Sequence, residues 1–215
     1  MKWIVRKDKS IDNIGCTHKT EMCMPGAYYD KTRHLRIDMP TCCLFKILRQ
    51  LDIISKGFTE LKIKFFITAG LLIGYARNQT IIPYDEDGDI FVAKEDWRSQ
   101  RMMKFVDNIC KEYGFITSWR TDDYQAFSLD WSKTNLNGLG FWSYWPVSED
   151  VLTFRGSGTR KWGRDVIEPP RQIIFNGIQT YAPNNVEAFL DVKYGVGRWQ
   201  NEYSCEKKYG RKCMP

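Results

Sequence analysis

The sequence predicts an α/β domain, and three observations carry that expectation. The stretch 65–92, FFITAGLLIGYARNQTIIPYDEDGDIFV, reads as an apolar strand, a glycine-bracketed turn with a short helix, a loop, and three acids feeding a second strand. Two segments, 41–55 and 95–113, repeat apolar residues at helical spacing. Between 115 and 181 several strand-like runs follow one another, separated by turn residues. The 215 residues are 43% hydrophobic, which suits one domain with a real core and argues against disorder.

Taken in order, Thr41 can cap a helix running to about Ser55, with Gly57 as its stop. Leu44, Ile47, Leu48, Leu51 and Ile54 should face the core. Residues 63–68 form the first core strand. Gly70 lets the backbone turn tightly, and the helix start after it offers N–H groups to an anion, although a plain connection is the simpler use of such glycines. Arg77 can reach a phosphate with its planar fork or brace nearby carboxylates. The helix at 95–113 carries Trp97, Met102, Phe105, Val106, Ile109 and Cys110 on one side and ends at Gly114. Strands are expected at 115–120, 124–131 and 140–145, the last two joined by the turn KTNLNG. The segment 146–170 is irregular. Its Arg155, Arg160, Lys161 and Arg164, interleaved with glycines, can cradle a phosphorylated group, while a solvated loop is the plainer reading. A hairpin turns at Asn176-Gly177, and Pro183-Asn184-Asn185 opens a helix with Val186, Phe189, Leu190 and Val192 that ends at Tyr194-Gly195.

The chemistry concentrates at Asp85, Asp87 and Asp89. Residues two apart in a strand share a face, so this spacing can aim all three carboxylates at one point. Three such groups repel unless a cation sits between them, and hard oxygen ligands suit Mg²⁺ or Mn²⁺. A solvated acidic turn is the alternative, and Pro83 and Gly88 would fit it. Against it, the acids lie between the apolar runs at Ile81-Ile82 and Ile90-Phe91-Val92, where carboxylates are costly unless paired or metal-bound.

Cys16, Cys23, Cys42 and Cys43 are spaced C-x6-C-x18-C-C. Four thiolates can bind Zn²⁺ tetrahedrally and staple a loop poor in apolar residues; two disulfides explain the same cysteines equally well. His18 and His34 lie in the same loop and can replace a ligand. Cys110 is unassigned, and Cys205 and Cys213 can pair in the tail.

The net charge of +6 is modest and compatible with anionic substrates; no basic stripe or nucleic-acid motif appears, so nucleic acid is not the expected partner. No stretch is long and apolar enough to cross a membrane, and the first residues, MKWIVRKDKSIDN, lack a signal-peptide core. A fragment, an incomplete gene model or a soluble protein is the expectation from these two features.

The order Gly70-Leu71-Leu72-Ile73-Gly74-Tyr75-Ala76-Arg77, then Ile82-Pro83-Tyr84-Asp85, then Asp87 and Asp89, resembles the core of the LicD, fukutin and fukutin-related family. That core has the form G-x-L-L-G-x-x-R, a short loop, then I-P-W-D-x-D-x-D; here Tyr84 stands for Trp and Ile73 for Leu. The string from Pro183 to Gly195 resembles a C-terminal element of the same family. The resemblance implies a mixed, nucleotidyltransferase-like sheet. It also implies transfer of a phospho-alditol or phosphocholine group from a CDP-linked donor, CDP-ribitol above all, onto a glycan. On that reading Asp85, Asp87 and Asp89 are catalytic, with Asp87 and Asp89 as Mg²⁺ (or Mn²⁺) ligands. Gly70, Leu71, Gly74 and Arg77 bind the donor. The fukutin-related branch has a zinc loop at similar cysteine spacing, which implies structural Zn²⁺ at Cys16, Cys23, Cys42 and Cys43. A Golgi or other secretory-pathway setting is implied as well, and a homo-oligomer stays open.

The family also carries an acid just before a W-P-like element. Ser143 of Ser143-Tyr144-Trp145-Pro146 stands at that place, with Asp130 on the preceding strand as a substitute suggested by proximity. Serine is a poor base. A catalytically impaired glycan-binding or scaffold protein is therefore an alternative, as is a nucleotidyltransferase that acts on a small molecule and releases pyrophosphate. The expected organisation is an N-terminal segment at 1–43, a catalytic domain at 44–203 and a flexible tail at 204–215.

Overall fold

The computed structural model describes residues 2–5, 11–14, 39, 41–119, 126–133, 135–154 and 160–200, the side chains of 2–5, 11–14 and 119 excepted. Strands β1 (Lys2–Val5) and β2 (Ile11–Ile14) form a separate antiparallel pair. Helix α1 (Thr41–Glu60) follows, then β3 (Phe65–Thr68), helix α2 (Ala69–Asn78) and β4 (Gly88–Ala93). Helix α3 (Gln100–Tyr113) leads to β5 (Ile116–Trp119), β6 (Ala126–Ser132) and the long β7 (Asn135–Ser148). The chain continues through β8 (Val151–Phe154), β9 (Trp162–Gly163), the single turn α4 (Arg164–Ile167), β10 (Arg171–Phe175), β11 (Ile178–Ala182), α5 (Val186–Tyr194) and a 3₁₀ turn at Arg198–Gln200.

The main sheet has the order β3-β4-β7-β6-β5, with β8 beside the far end of β7 and β9 beside β8. β4 and β7 run parallel and every other pair is antiparallel, which gives the mixed α/β sheet that the sequence predicted. Partnered residues share a face. One face therefore carries Phe65, Ile67, Ile90, Val92, Leu139, Phe141, Ser143, Phe127 and Leu129. α1 lies on this face: Phe58 meets the rings of Phe65 and Phe141 edge-on or tilted at 5.4 and 6.1 Å. The other face carries Phe66, Thr68, Asp89, Phe91, Gly140, Trp142, Tyr144, Ser128 and Asp130. α5 covers its apolar part, with Phe189 against Phe66 and Phe91.

Four local expectations change. The segment 146–170, expected to be irregular, carries the end of β7 together with β8, β9 and α4. α1 does not stop at Gly57 but runs through it to Glu60. Gly57 is buried, and a Cβ there would run into the ring of Phe105, so the glycine serves helix–helix contact with α3. The helix expected over 95–113 begins at Gln100, capped by the Ser99 side chain, while 94–98 is a turn; Gly114 ends it in the left-handed region at φ 75°. Most of KTNLNG belongs to β7, which starts at Asn135. The hairpin β10–β11 turns where expected, with Asn176 at φ 49° and Gly177 at φ 77°, both central residues left-handed as a type I′ turn requires. Asn185 caps α5 through an N–H···O bond from Ala188 at 3.0 Å.

Cys42 and Cys43 lie in the first turn of α1 and are disulfide-bonded. Disulfides were the alternative to the zinc staple, and a sulfur so linked is not a thiolate ligand. In that state the two residues do not fit Zn²⁺. Cys16 and Cys23, His18 and His34, and Cys205 and Cys213 lie outside the described residues, as do Arg155 and the tail. Cys110 is a free thiol on α3, half-buried, and burial raises its pKa. Among the described residues no helix is long and apolar enough to cross a membrane.

Candidate functional site

The three acids do not all sit in a strand. β4 starts at Gly88, so only Asp89 belongs to it; Asp85 and Asp87 lie in the loop that leads in. That loop is fixed from three sides. The backbone N–H of Met39 donates to the Pro83 carbonyl at 2.6 Å. Asn137 Nδ2 on β7 donates to the Glu86 carbonyl at 2.9 Å. At the hairpin turn, Asn176 Oδ1 accepts from the Ile81 N–H at 2.7 Å. The loop residues thus gain backbone partners that no regular strand supplies.

Each acid has its own place. The Asp85 carboxylate is buried and lies on the Cα of Gly70, where a Cβ would collide with Oδ2. Gly70 stands in the first turn of α2, whose N–H groups and dipole favour a carboxylate. Gly70 is therefore a glycine because Asp85 occupies its side-chain space. Asp87 is exposed. Asp89 is half-buried, and its Oδ1 accepts from Trp142 Nε1 at 2.9 Å. Beneath it, a Cβ on the partnered Gly140 would come within 2.7 Å of the same oxygen. Among the described residues no set of three or more His, Cys, Asp or Glu side chains converges as a metal-holding group. The expectation that all three carboxylates meet at one point is corrected on that count: the irregular loop, not strand alternation, positions two of them. A pair still suits Mg²⁺, which takes one or two carboxylates and completes its shell with water and substrate phosphate.

The donor-binding residues expected on α2 separate in space. Leu71 is fully buried and its side chain fills the room that a Cβ on Gly88 would need. Gly74 lets the Thr80 carbonyl cross the helix, since a Cβ would meet that oxygen. Arg77, near the far end of α2, donates from Nε to the Trp199 carbonyl at 2.7 Å and ties the 3₁₀ turn to the helix. Arg164 donates from Nη1 to Glu168 at 2.7 Å and from Nε to the Glu149 carbonyl at 2.6 Å; Arg160 and Lys161 are exposed.

Ser143 is not at the site. It pairs with Val92, points to the α1 face and is buried at 1% exposure. The residue beside Asp89 on β7 is Gly140, so a serine at 143 says nothing about the carboxylate face. Asp130, in contrast, is on that face. It pairs with Gly138, as Ser128 pairs with Gly140, and Ser128 Oγ donates to Asp130 Oδ2 at 3.3 Å. Burial pushes the Asp130 carboxyl up, and the Ser128 hydrogen bond offsets part of that. Gly140 yields its side-chain space to the Asp89 carboxylate and the Trp142 indole N–H, and Gly138 yields its own to the Leu129 carbonyl of β6. Asp89 and Ser128 stand two strand spacings, about 10 Å, apart across β7. Sequence reasoning missed Thr68, Gly140 and Trp142. The available signal was glycine at alternate positions, 138 and 140, which inside a strand marks close approach to the backbone.

Comparison with known proteins gives three findings. Residues 62–185 match the family model described as LicD/FKTN/FKRP, nucleotidyltransferase domain. The human protein named ribitol 5-phosphate transferase FKRP is 25% identical over 197 residues, and its mouse counterpart 24%; each alignment covers 87% of this chain and 39% of the relative. The chain thus spans about two-fifths of the length of these relatives. The solved structure of ANT(2")-Ia in complex with adenylyl-2"-tobramycin superposes with a TM-score of 0.42 at 14% identity, over 61% of this chain and 65% of that one. A likeness of that size carries no functional weight.

Proposed function

We propose that this chain, which belongs to the LicD/FKTN/FKRP family, is a phosphotransferase that moves an alditol phosphate from a CDP-linked donor to a glycan hydroxyl. The observation that carries the reading is the sheet face on which Asp89, held by Trp142 in the side-chain space that Gly140 vacates, stands on the same side as Ser128 and Asp130. Relatives named for ribitol 5-phosphate transfer make CDP-ribitol the favoured donor.

In the reaction proposed, an acceptor hydroxyl oxygen bonds to the phosphorus that carries the alditol. The bond from that phosphorus to the bridging oxygen breaks, CMP leaves with the electron pair, and a phosphodiester remains. Asp87 and Asp89 are the residues that would hold Mg²⁺ or Mn²⁺, with Asp85 orienting the first turn of α2 behind them. Such an ion supplies charge neutralisation for the diphosphate and the departing CMP. The hydroxyl proton goes to Asp130, whose raised pKa suits a base better than the Ser143 hydroxyl does. Gly70 and Leu71 contribute through backbone N–H groups at the helix start. A secretory-pathway compartment, the Golgi among others, is in keeping with disulfide-bonded Cys42 and Cys43. Zn²⁺ at Cys16, Cys23, Cys42 and Cys43 is the competing proposal; thiol titration under denaturing conditions with metal analysis of unreduced protein separates them, since the zinc state adds four thiols and one zinc to what the disulfide state gives, in which Cys110 still titrates.

Product analysis tests the reaction. Incubation with CDP-ribitol, Mg²⁺ and a panel of sugar acceptors is expected to release CMP. Release of pyrophosphate from a nucleoside triphosphate instead would make the chain a nucleotidyltransferase on a small molecule, and no product from either would favour a glycan-binding scaffold.

A further inference from the structure

We infer that Lys193 is a phosphate-binding residue of this site, contacting the diphosphate of a nucleotide-linked donor. The inference rests on the carboxylate face described above and adds a cation to it from a distant part of the chain. Lys193 occupies the last turn of α5, and its ammonium stands over three aromatic rings. Nζ stands 5.7 Å from the centroid of Phe91, 5.8 Å from Phe154 and 5.5 Å from Tyr194. Ring faces attract a cation and fix its position. The head donates to Thr68 Oγ1 at 3.3 Å.

Thr68 decides where that places the charge. It is the N-cap residue of α2 and makes no side-chain cap bond; its hydroxyl accepts from Lys193. It is also the partner of Asp89 across the β3–β4 ladder. Side chains so paired have Cβ atoms about 4.5–5.5 Å apart. One ammonium and one carboxylate therefore border the same small area at the start of α2. A single diphosphate placed there can bridge them, taking the ammonium directly and the Asp87–Asp89 side through a divalent ion. Compact, strongly hydrated lysine heads suit phosphate as point charges. The competing account is structural: a lysine in a last helical turn complements the helix dipole and does nothing else.

The test is equilibrium dialysis in Mg²⁺ with two probes, radiolabelled inorganic pyrophosphate and radiolabelled CDP-ribitol. The proteins are the wild type, Lys193→Met and Lys193→Arg. Methionine keeps an unbranched apolar stem without the charge, and arginine keeps the charge should the methionine variant fold poorly. Lys193→Met is expected to weaken both probes at least tenfold, with unchanged near-ultraviolet circular dichroism, and Lys193→Arg to recover part of the loss. Wild type that binds pyrophosphate through Lys193 but ignores CDP-ribitol would keep this inference and sink the donor. Wild type that binds CDP-ribitol no better than Lys193→Met does would overturn the inference and leave the donor standing. Binding of neither probe by folded wild type overturns both.

Discussion

The two faces of the central strands solve opposite problems with the same backbone. On the α1 side, Ile90, Val92, Leu139, Phe141, Phe127 and Leu129 make a dry layer into which Phe58 fits. On the other side the same strands present Asp89, Trp142, Ser128 and Asp130 around two glycines. Burying such groups costs stability unless each finds a partner. Here they do find partners, in the Trp142 and Ser128 hydrogen bonds. The apolar side also holds a charge, and its treatment differs. Lys46 on α1 is 1% exposed, has no hydrogen-bond partner at Nζ, and lies 5.6 Å from the Trp131 ring centroid. Burial lowers its pKa. The polar groups beside the two glycines are partnered and form the face proposed for chemistry; the unpartnered Lys46 head under α1 is a stability defect.

That contrast breaks first at Asp89. Asp89→Asn keeps the Trp142 hydrogen bond and the fold, and should cut CMP release about a hundredfold or more with an unchanged melting temperature. A similar loss of melting temperature would mean that Asp89 is a structural residue. Next, Gly140→Ala pushes a methyl toward the Asp89 carboxylate, which must turn away. Activity should fall about tenfold or more while the sheet survives, because the obstructing atom is the end of a side chain; an unaffected rate would show that the seat of the Asp89 carboxylate over Gly140 is idle.

Asp130→Asn sharpens the comparison through pH. The Asp130 carboxyl is raised in the fold, so the native state favours its protonated form. The cost of ionising it is absent well below the ordinary carboxylate range and appears as pH rises through the raised value. The variant should therefore gain stability over wild type near neutral pH, lose that gain in acid, and flatten the acidic limb of the rate profile. The smallest effects belong to the apolar side. Lys46→Met should stabilise by about 1 kcal/mol near neutral pH, a rise of about 2–4 °C. The gain should shrink as pH climbs toward the ordinary lysine value, where the native state no longer carries the charge, and activity should not change.

How much of this was legible depends on how local each feature is. The strand–glycine–helix–acid order, the Asn176-Gly177 hairpin and the Asn185 cap are written in adjacent residues, and they stand where the sequence puts them. Gly57 misled because a glycine near the end of an amphipathic run is the usual stop signal; its reason lies across space, in Phe105. Ser143 misled because motif position does not reveal which face a strand residue takes; only the register with Val92 does. Trp142 and Asp89 are 53 residues apart, and Lys193 and Thr68 are 125 apart. Nothing in the local pattern of either segment announces the other, so these contacts become visible only when the strands are paired and α5 is laid on them.

The central claim is a divalent-metal donor site on the carboxylate face, and calorimetry tests it most directly. CDP-ribitol is titrated into wild type and into the Asp87→Asn/Asp89→Asn double variant, with and without Mg²⁺. The account predicts binding by wild type in Mg²⁺ that disappears when either the metal or the two carboxylates are removed. Equal binding in all four experiments would contradict it, placing the donor elsewhere on the molecule and leaving the polar face without its proposed role.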